Sequence, residues 1–254
     1  MQQSEFDFKV ENRVHIMPIG FEFDRAHLPA KELKADTVIL LMHESDDDDE
    51  EDRIKEIQDK LDEYGIDSEK DKCRLFNMYD ALGMIAEKIN EFSSEDVYVN
   101  LSTGGKVTAI AGMIACMVAD ATPYYVQAKD YGPTPPEGVA EITKLPRYPI
   151  DSPDYQEIAV LNFIKERTSE DSAPTKGELI EFGEEIGLPF IADHDVEQKG
   201  KYRLLDNHVI NPLEDDGYVT TEKKGREKIV KLTSDGQNTL HAFRYLIEDE
   251  YTVE

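Results

Sequence analysis

Apolar positions in the first half of the chain fall into short blocks whose spacing alternates between two periods. Arg13–Gly20 (RVHIMPIG) reads as a strand running into a loop. Asp36–Met42 (DTVILLM) is a continuous apolar run of the kind shown by parallel strands covered on both faces. Ile54, Ile57 and Leu61 follow at helical spacing, and Lys72–Phe76 is a weaker strand. Tyr79–Phe92 puts Leu82, Ile85, Ala86 and Ile89 on one helical face. Val97–Leu101 is then a strand, Lys106–Ala119 a helix and Pro123–Gln127 a strand. This alternation predicts an α/β fold, a Rossmann-like open parallel sheet with right-handed crossovers.

The pattern changes at Tyr131–Pro153, where six prolines surround a short strand or two within Ala140–Leu145. This segment reads as a linker and divides the chain into an α/β domain over 1–150 and a second domain over 151–254. Tyr155–Arg167 is a helix. Thr175 and Glu178 form a capping box behind Pro174 and open another, to about Glu185; Lys199–Leu213 is a third. Gly217–Thr221 and Lys228–Leu232 are β-branched runs joined by a polar turn with a glycine at its tip, and Ser234–Glu248 is a closing amphipathic helix. Three helices, a two-stranded wing and a last helix are the order of a winged helix-turn-helix domain.

Charge adds a second layer. The 254 residues carry 55 acidic against 28 basic side chains, a formal net charge of −27, spread along the chain rather than gathered in a tail. In near-molar salt the Debye length falls to about 3 Å, so the self-repulsion of such a surface is screened. The composition reads as that of a halophilic, salt-rich cytosol, with an acidic partner-binding surface as the alternative. Glu44–Asp52 holds eight acids in nine residues. Without a glycine turn or EF-hand spacing it reads as a solvated surface loop, not a cation site. Two cysteines, Cys73 and Cys116, give no disulfide framework, and Cys116 lies in an apolar segment where it would pack. No apolar signal segment follows the start, and the longest apolar run, Ala109–Ala119, is short of the roughly 20 residues of a membrane span. A cytoplasmic protein with no membrane partner is expected. His194 and His208 are too isolated for a metal site, and no metal or cofactor is expected.

The stretch richest in chemistry is Asn100–Lys106 (NLSTGGK), between a strand and a helix. Ligands of open α/β sheets bind outside the carboxyl ends of the strands. Gly104 and Gly105 allow backbone to approach a ligand, the following helix offers its free N–H groups, Ser102 and Thr103 add hydroxyls and Lys106 adds charge. This is an anion- or phosphate-binding design, with a bare strand–helix turn as the plain alternative. It is not a Walker A loop, because no glycine stands five residues before Gly105 and Val107 follows the lysine. A second candidate is Gly20–Arg25 (GFEFDR), whose end would lie beside the 102–106 loop at the switch point; the plain alternative is a capped first helix.

These two loops and the small-residue helix after the second resemble a CARF domain, a CRISPR-associated Rossmann-like sensor, over about residues 10–145. A CARF domain followed by a winged helix resembles the CRISPR-associated transcriptional regulators of archaea, of which acidic versions occur in haloarchaea. The resemblance implies a homodimer with a two-fold pocket for a cyclic oligoadenylate or related nucleotide. It maps the phosphate-gripping loop to Ser102, Thr103, Gly104, Gly105 and Lys106, and the loop after the first strand to Gly20, Phe21, Glu22 and Asp24. One departure stands: the family often has TGGTK, whereas here Lys106 directly follows Gly105. The helix from Val107 reads either as packing against the sheet or as the dimer seam.

In the second half, Lys199–Lys231 holds eight basic and six acidic residues, a net +2 that leaves −29 for the rest. A locally basic third helix and wing in so acidic a chain reads as an electrostatic footprint for double-stranded DNA. Arg suits guanine and Asn suits adenine, so Lys201, Arg203 and Asn207 are the groove candidates, and Lys199 is a further DNA-binding candidate. Lys223, Lys224, Arg226 and Lys228 are phosphate contacts; Tyr202 would belong to the core. The function expected is a ligand-responsive, DNA-binding transcription regulator without catalytic residues. The alternatives are a CARF enzyme that cleaves its own cyclic oligoadenylate, with Lys106 and Ser102 as its candidates, and a ligand-independent DNA-binding dimer. A solvated hairpin used for protein contacts is the plain reading of the wing.

Overall fold

A computed structural model describes residues 11–44, 48–148, 150–169, 172–192, 194, 196–225 and 227–248. The chain divides into two compact units, Met1–Asp151 and Ser152–Glu254.

The first unit is a six-stranded sheet in the order β3-β2-β1-β4-β5-β6. Its strands are β1 (Arg13–Pro18), β2 (Thr37–His43), β3 (Asp67–Cys73), β4 (Asp96–Asn100), β5 (Thr122–Gln127) and β6 (Glu141–Lys144). The first five are parallel, with Met17 opposite Leu40 and Ile16 opposite Val99, and β6 returns antiparallel to β5. Between them run α1 (Asp24–Glu32), α2 (Asp48–Tyr64), α3 (Met78–Glu91) and α4 (Lys106–Val118). Alternation along β1 and β2 turns Met17, Ile19, Val38, Leu40 and Met42 toward Ala26 and Ala30 of α1 and Ile54, Ile57 and Leu61 of α2. On the other face α3 and α4 pack against each other and against β1, β3, β4 and β5. Cys116 is fully buried there, and burial pushes its thiol up to about 12.

Two local expectations change. The acidic run is not wholly a loop: α2 begins at Asp48, so its second half lies in the first turn, where carboxylates meet the positive end of the helix dipole. Residues 45–47 lie outside the described residues. The third strand spans Asp67–Cys73 rather than Lys72–Phe76. Its sequence, DSEKDKC, is polar because β3 is the sheet edge and pairs with β2 alone.

The second unit opens with α5 (Tyr155–Arg167), started by an Asp154–Glu157 capping box. Next comes α6 (Lys176–Ile186), started by the predicted Thr175–Glu178 box and stopped by Gly187 in the left-handed region, φ 73°. A short α7 (Pro189–Ala192) precedes α8 (Gln198–Leu205). The helix read as Lys199–Leu213 is not uniform: α8 passes through a π-helical turn, Asp206–Ile210, into α9 (Asn211–Asp215). The wing is β7 (Val219–Lys224) antiparallel to β8 (Glu227–Leu232), and a single bridge from Thr175 to Ile229 ties it to the start of α6. α10 (Ser234–Phe243) and α11 (Tyr245–Glu248) close the unit over a core that includes Ile158, Leu161, Leu179, Leu205, Leu213, Val230 and Leu240.

Candidate ligand site and nucleic-acid interface

The strand order reverses between β1 and β4, so the loops leaving their carboxyl ends meet. A Cβ placed on Gly20 would stand 3.1 Å from both Cα and N of Gly104, so neither loop admits a side chain at this crossing. Gly104 has φ +76°, and a Cβ there would meet Pro18 Cβ at 3.3 Å; both facts call for glycine. Gly105 is the N-cap of α4, and Lys106, its first helical residue, is exposed.

Beneath the crossing lies a buried polar chain. Asn100, fully buried, donates from Nδ2 to Arg25 O (2.9 Å) and accepts from Ser102 N–H at Oδ1 (2.9 Å). Ser102 Oγ in turn accepts from the Val126 N–H at the end of β5. Arg25, buried, pairs through Nη2 with Glu22 Oε1 at 2.9 Å and reaches Val126 O through Nη1. The two loops and β5 are thus locked together by five residues. Three buried side-chain atoms around the crossing have no hydrogen-bond partner: Glu22 Oε2, Arg25 Nε and Thr103 Oγ1.

The predicted ligand residues therefore divide. Gly20, Gly104 and Gly105 form the backbone crossing, and Lys106 and Phe21 face solvent. Ser102 and Thr103 point inward, with Thr103 only 1% exposed. Glu22 is held by Arg25, which offsets its charge beside the 102–106 loop. Asp24 serves the fold: its Oδ2 accepts from Gly138 N–H (2.7 Å) on the β5–β6 connection, and Oδ1 stands 3.5 Å from His27 Nε2. Sequence reasoning missed Asn100 as a tie, Arg53 of α2, whose guanidinium covers the Phe21 ring at 5.0 Å, and Phe76, which reaches Gly105 from the β3–α3 loop. Asn100 opens the NLSTGGK stretch, so its sequence position marks it. Arg53 sits among acids and gave no signal.

Two histidines of this unit, His15 and His27, are internal; the third, His43, is half-buried at the end of β2 with its ring centroid 4.5 Å from that of the exposed Phe76. His15 is fully buried between Tyr98 and Tyr124, with Nδ1 3.0 Å from Tyr124 Oη, and burial lowers it to about 4. His27 is buried against Phe23 and Tyr64 and is likewise lowered by burial.

In the second unit, Lys199, Arg203 and Asn207 recur every four residues and are all exposed. Lys201 is turned away, paired with Glu184 of α6. Tyr202 is half out of the core, and a Cβ on Gly177 would touch its hydroxyl at 3.2 Å. Lys223, Lys224 and Lys228 are exposed on the wing; Arg226 lies outside the described residues. A cleft of about 290 Å³ runs between the start of α6, α8 and β8, lined by Thr175, Lys176, Gly177, Tyr202, Asp206 and Lys228 among others. Lys176 is its unforeseen cation, paired with Asp206. His194 and His208, isolated in sequence, stack with centroids 6.2 Å apart. Among the described residues no group of three or more His, Cys, Asp or Glu could hold a metal ion, and no helix is long and apolar enough to cross a membrane.

This geometry defines the class: a Rossmann-like α/β domain joined to a winged helix domain. Residues 13–131 match the family model described as HFX_2341_N:-like, N-terminal, and residues 156–244 match the DUF6293 C-terminal winged helix domain. The chain thus carries an amino-terminal domain of the first kind and a winged helix domain of the second. No curated protein sequence matches it. Among solved structures it is similar to Can2 from Sulfobacillus thermosulfidooxidans in complex with cyclic tetra-adenylate, at 10% identity and a TM-score of 0.42, over 92% of this chain and 64% of that one. It is also similar to VC1899 from Vibrio cholerae, at 14% identity and 0.41, over 92% and 65%. A third is Enterococcus italicus Csm6 bound to cyclic hexa-2'-fluoro-hexa-dAMP, at 12% identity and 0.41, over 82% and 57%. The chain spans less than two thirds of the length of each of these proteins.

Proposed function

We propose that this chain is a ligand-responsive, DNA-binding transcription regulator that works as a homodimer in a salt-rich cytoplasm. Its α/β domain takes a cyclic oligoadenylate or related nucleotide, and its winged helix takes double-stranded DNA. The observation that carries this reading is the Gly20–Gly104 crossing, locked from below by Asn100, Ser102 and Arg25 and crowned by the exposed Lys106. A bare strand–helix turn would need no such bracing. Ser102, Thr103, Gly104, Gly105 and Lys106 form the anion loop, with Gly20, Phe21 and Glu22 as its neighbours; Asp24 acts through the fold. Arg203, Asn207 and Lys199 face the groove, and Lys223, Lys224 and Lys228 the phosphates. Val107 and Ile110, exposed on α4, supply an apolar seam for the second copy.

Binding rather than cleavage is the preferred reading: His15 and His27 are buried in aromatic surroundings, out of reach of a ligand's hydroxyl, and His43, against the exposed Phe76, is the histidine that a cleavage reaction would have to use. The ligand acts by binding one spacing of the two winged helices better than another, and the coupling equals that difference in affinity. The test is calorimetry with cyclic tetra-adenylate in molar KCl, beside Lys106→Ala. Saturation near one ring per dimer, lost in the variant, supports the reading. A folded dimer without binding heat removes the ligand. Cleaved product after incubation replaces the regulator with a ring-cleaving enzyme.

A further inference from the structure

Two phenylalanines at the carboxyl edge of the sheet stand in water: Phe21 is 71% exposed and Phe76 is 69% exposed. They come from loops far apart in sequence, after β1 and after β3, yet both converge on the 102–106 loop. Phe21 directly follows the glycine that touches Gly104. Phe76 places Cε1 3.6 Å from where a Gly105 Cβ would stand, and Thr108 of α4 pins its loop by donating from Oγ1 to Leu75 O at 2.8 Å. Each ring is also backed by another group. The Arg53 guanidinium lies over Phe21 at 5.0 Å, and the His43 ring lies against Phe76 with centroids 4.5 Å apart.

A ring braced this way is oriented before any ligand arrives, so little freedom is lost when something stacks on it. Core packing explains neither position, since most of each ring lies outside the core. The exposed Tyr131 after β5 differs, because its hydroxyl accepts from Ala128 N–H and so belongs to its own hairpin.

We propose that Phe21 and Phe76 are base-stacking platforms on either side of the anion loop, each taking one nucleobase of a ligand whose phosphate lies on residues 102–106. This rests on the nucleotide reading of that loop and adds to it the means of telling a base-bearing ligand from a bare phosphate. Stacking needs only a π-face, so the platforms favour purines by ring area rather than by hydrogen-bond pattern. Arg53, behind Phe21, adds a cation to the edge that already carries Lys106.

The chain contains no tryptophan, so a single Phe76→Trp or Phe21→Trp substitution creates one fluorophore at the platform. Each full-length variant is titrated with cyclic tetra-adenylate while emission and binding heat are followed together. The expected result is emission quenching that saturates with the heat. Phe76→Leu and Phe21→Leu, which keep apolar bulk without a π-face, should bind roughly 5- to 100-fold more weakly. Full binding heat with silent tryptophans and unchanged affinity in the leucine variants overturns the platforms and leaves the nucleotide reading intact. No heat from the wild-type protein overturns both. Emission that shifts with protein concentration before ligand is added assigns the rings to a contact between copies and also overturns the proposal.

Discussion

At the scale of single residues, the site depends on positions where only one side chain fits. Gly104→Ala places a Cβ on a left-handed backbone and against Pro18. It is expected to cost about 1–2 kcal/mol of stability and at least about tenfold in ligand affinity, read by urea unfolding and calorimetry. A ligand affinity unchanged in this variant would detach the loop from binding. Ser102→Ala leaves the Val126 N–H buried without its acceptor and should cost about 1–3 kcal/mol. His15 makes a pH prediction. The fold holds its pKa near 4, below the ordinary 6.5, so the native state resists the proton that the unfolded chain accepts. Its contribution is complete above about pH 6.5 and is lost as the pH falls toward 4, amounting to about 3 kcal/mol. The unfolding free energy of wild type minus that of His15→Phe should therefore shrink across that window; a constant difference would mean that His15 titrates normally.

At the scale of elements, the wing and the α8 surface should separate in their salt and sequence dependence. Lys223→Ala and Lys228→Ala should each flatten the slope of log K against log salt by about 1, equally on any duplex. Arg203→Ala should cost about 1–3 kcal/mol on the cognate operator and little on random DNA. Fluorescence anisotropy from about 0.1 to about 1 M KCl reads both. Equal losses on all sequences for Arg203→Ala would move it to the phosphate set. The strand–helix alternation was legible because buried parallel strands such as β2 are apolar without interruption. β3 was misplaced because an edge strand need not be apolar, and α7 was invisible because four residues carry no period. The meeting of the 20–25 and 102–106 loops followed from topology, since strands leaving a switch point end side by side. The inward turn of Ser102 and Thr103, the pairing of Lys201 with Glu184 and the arrival of Arg53 and Phe76 depend on side chains from distant elements, which no local pattern encodes.

At the scale of the molecule, one charge distribution serves two opposed demands. A chain of net charge −27 repels itself at low salt, while molar salt would weaken the lysine–phosphate attraction proposed for the wing. The melting temperature should rise by about 10 °C or more between dilute and molar KCl, as seen by scanning calorimetry. A flat profile would argue against a salt-adapted surface and for an acidic partner face. DNA affinity should move in the opposite direction, so the working salt range lies where the two trends cross.

The π-helical turn at Asp206–Ile210 has a consequence for insertions and deletions. There the Asn211 N–H reaches back five residues to Asp206 O, and the buried positions run Leu205, Val209, Ile210, Leu213. That spacing carries one residue more than a regular helix needs to keep a single face inward. Removing His208 would leave an ordinary α-helix with its apolar stripe still aligned and Arg203 and Asn207 retained. A one-residue deletion within α8 would instead turn Lys199 and the residues before the cut by about 100°. The same small change in length is thus absorbed at one site and disruptive a few residues away.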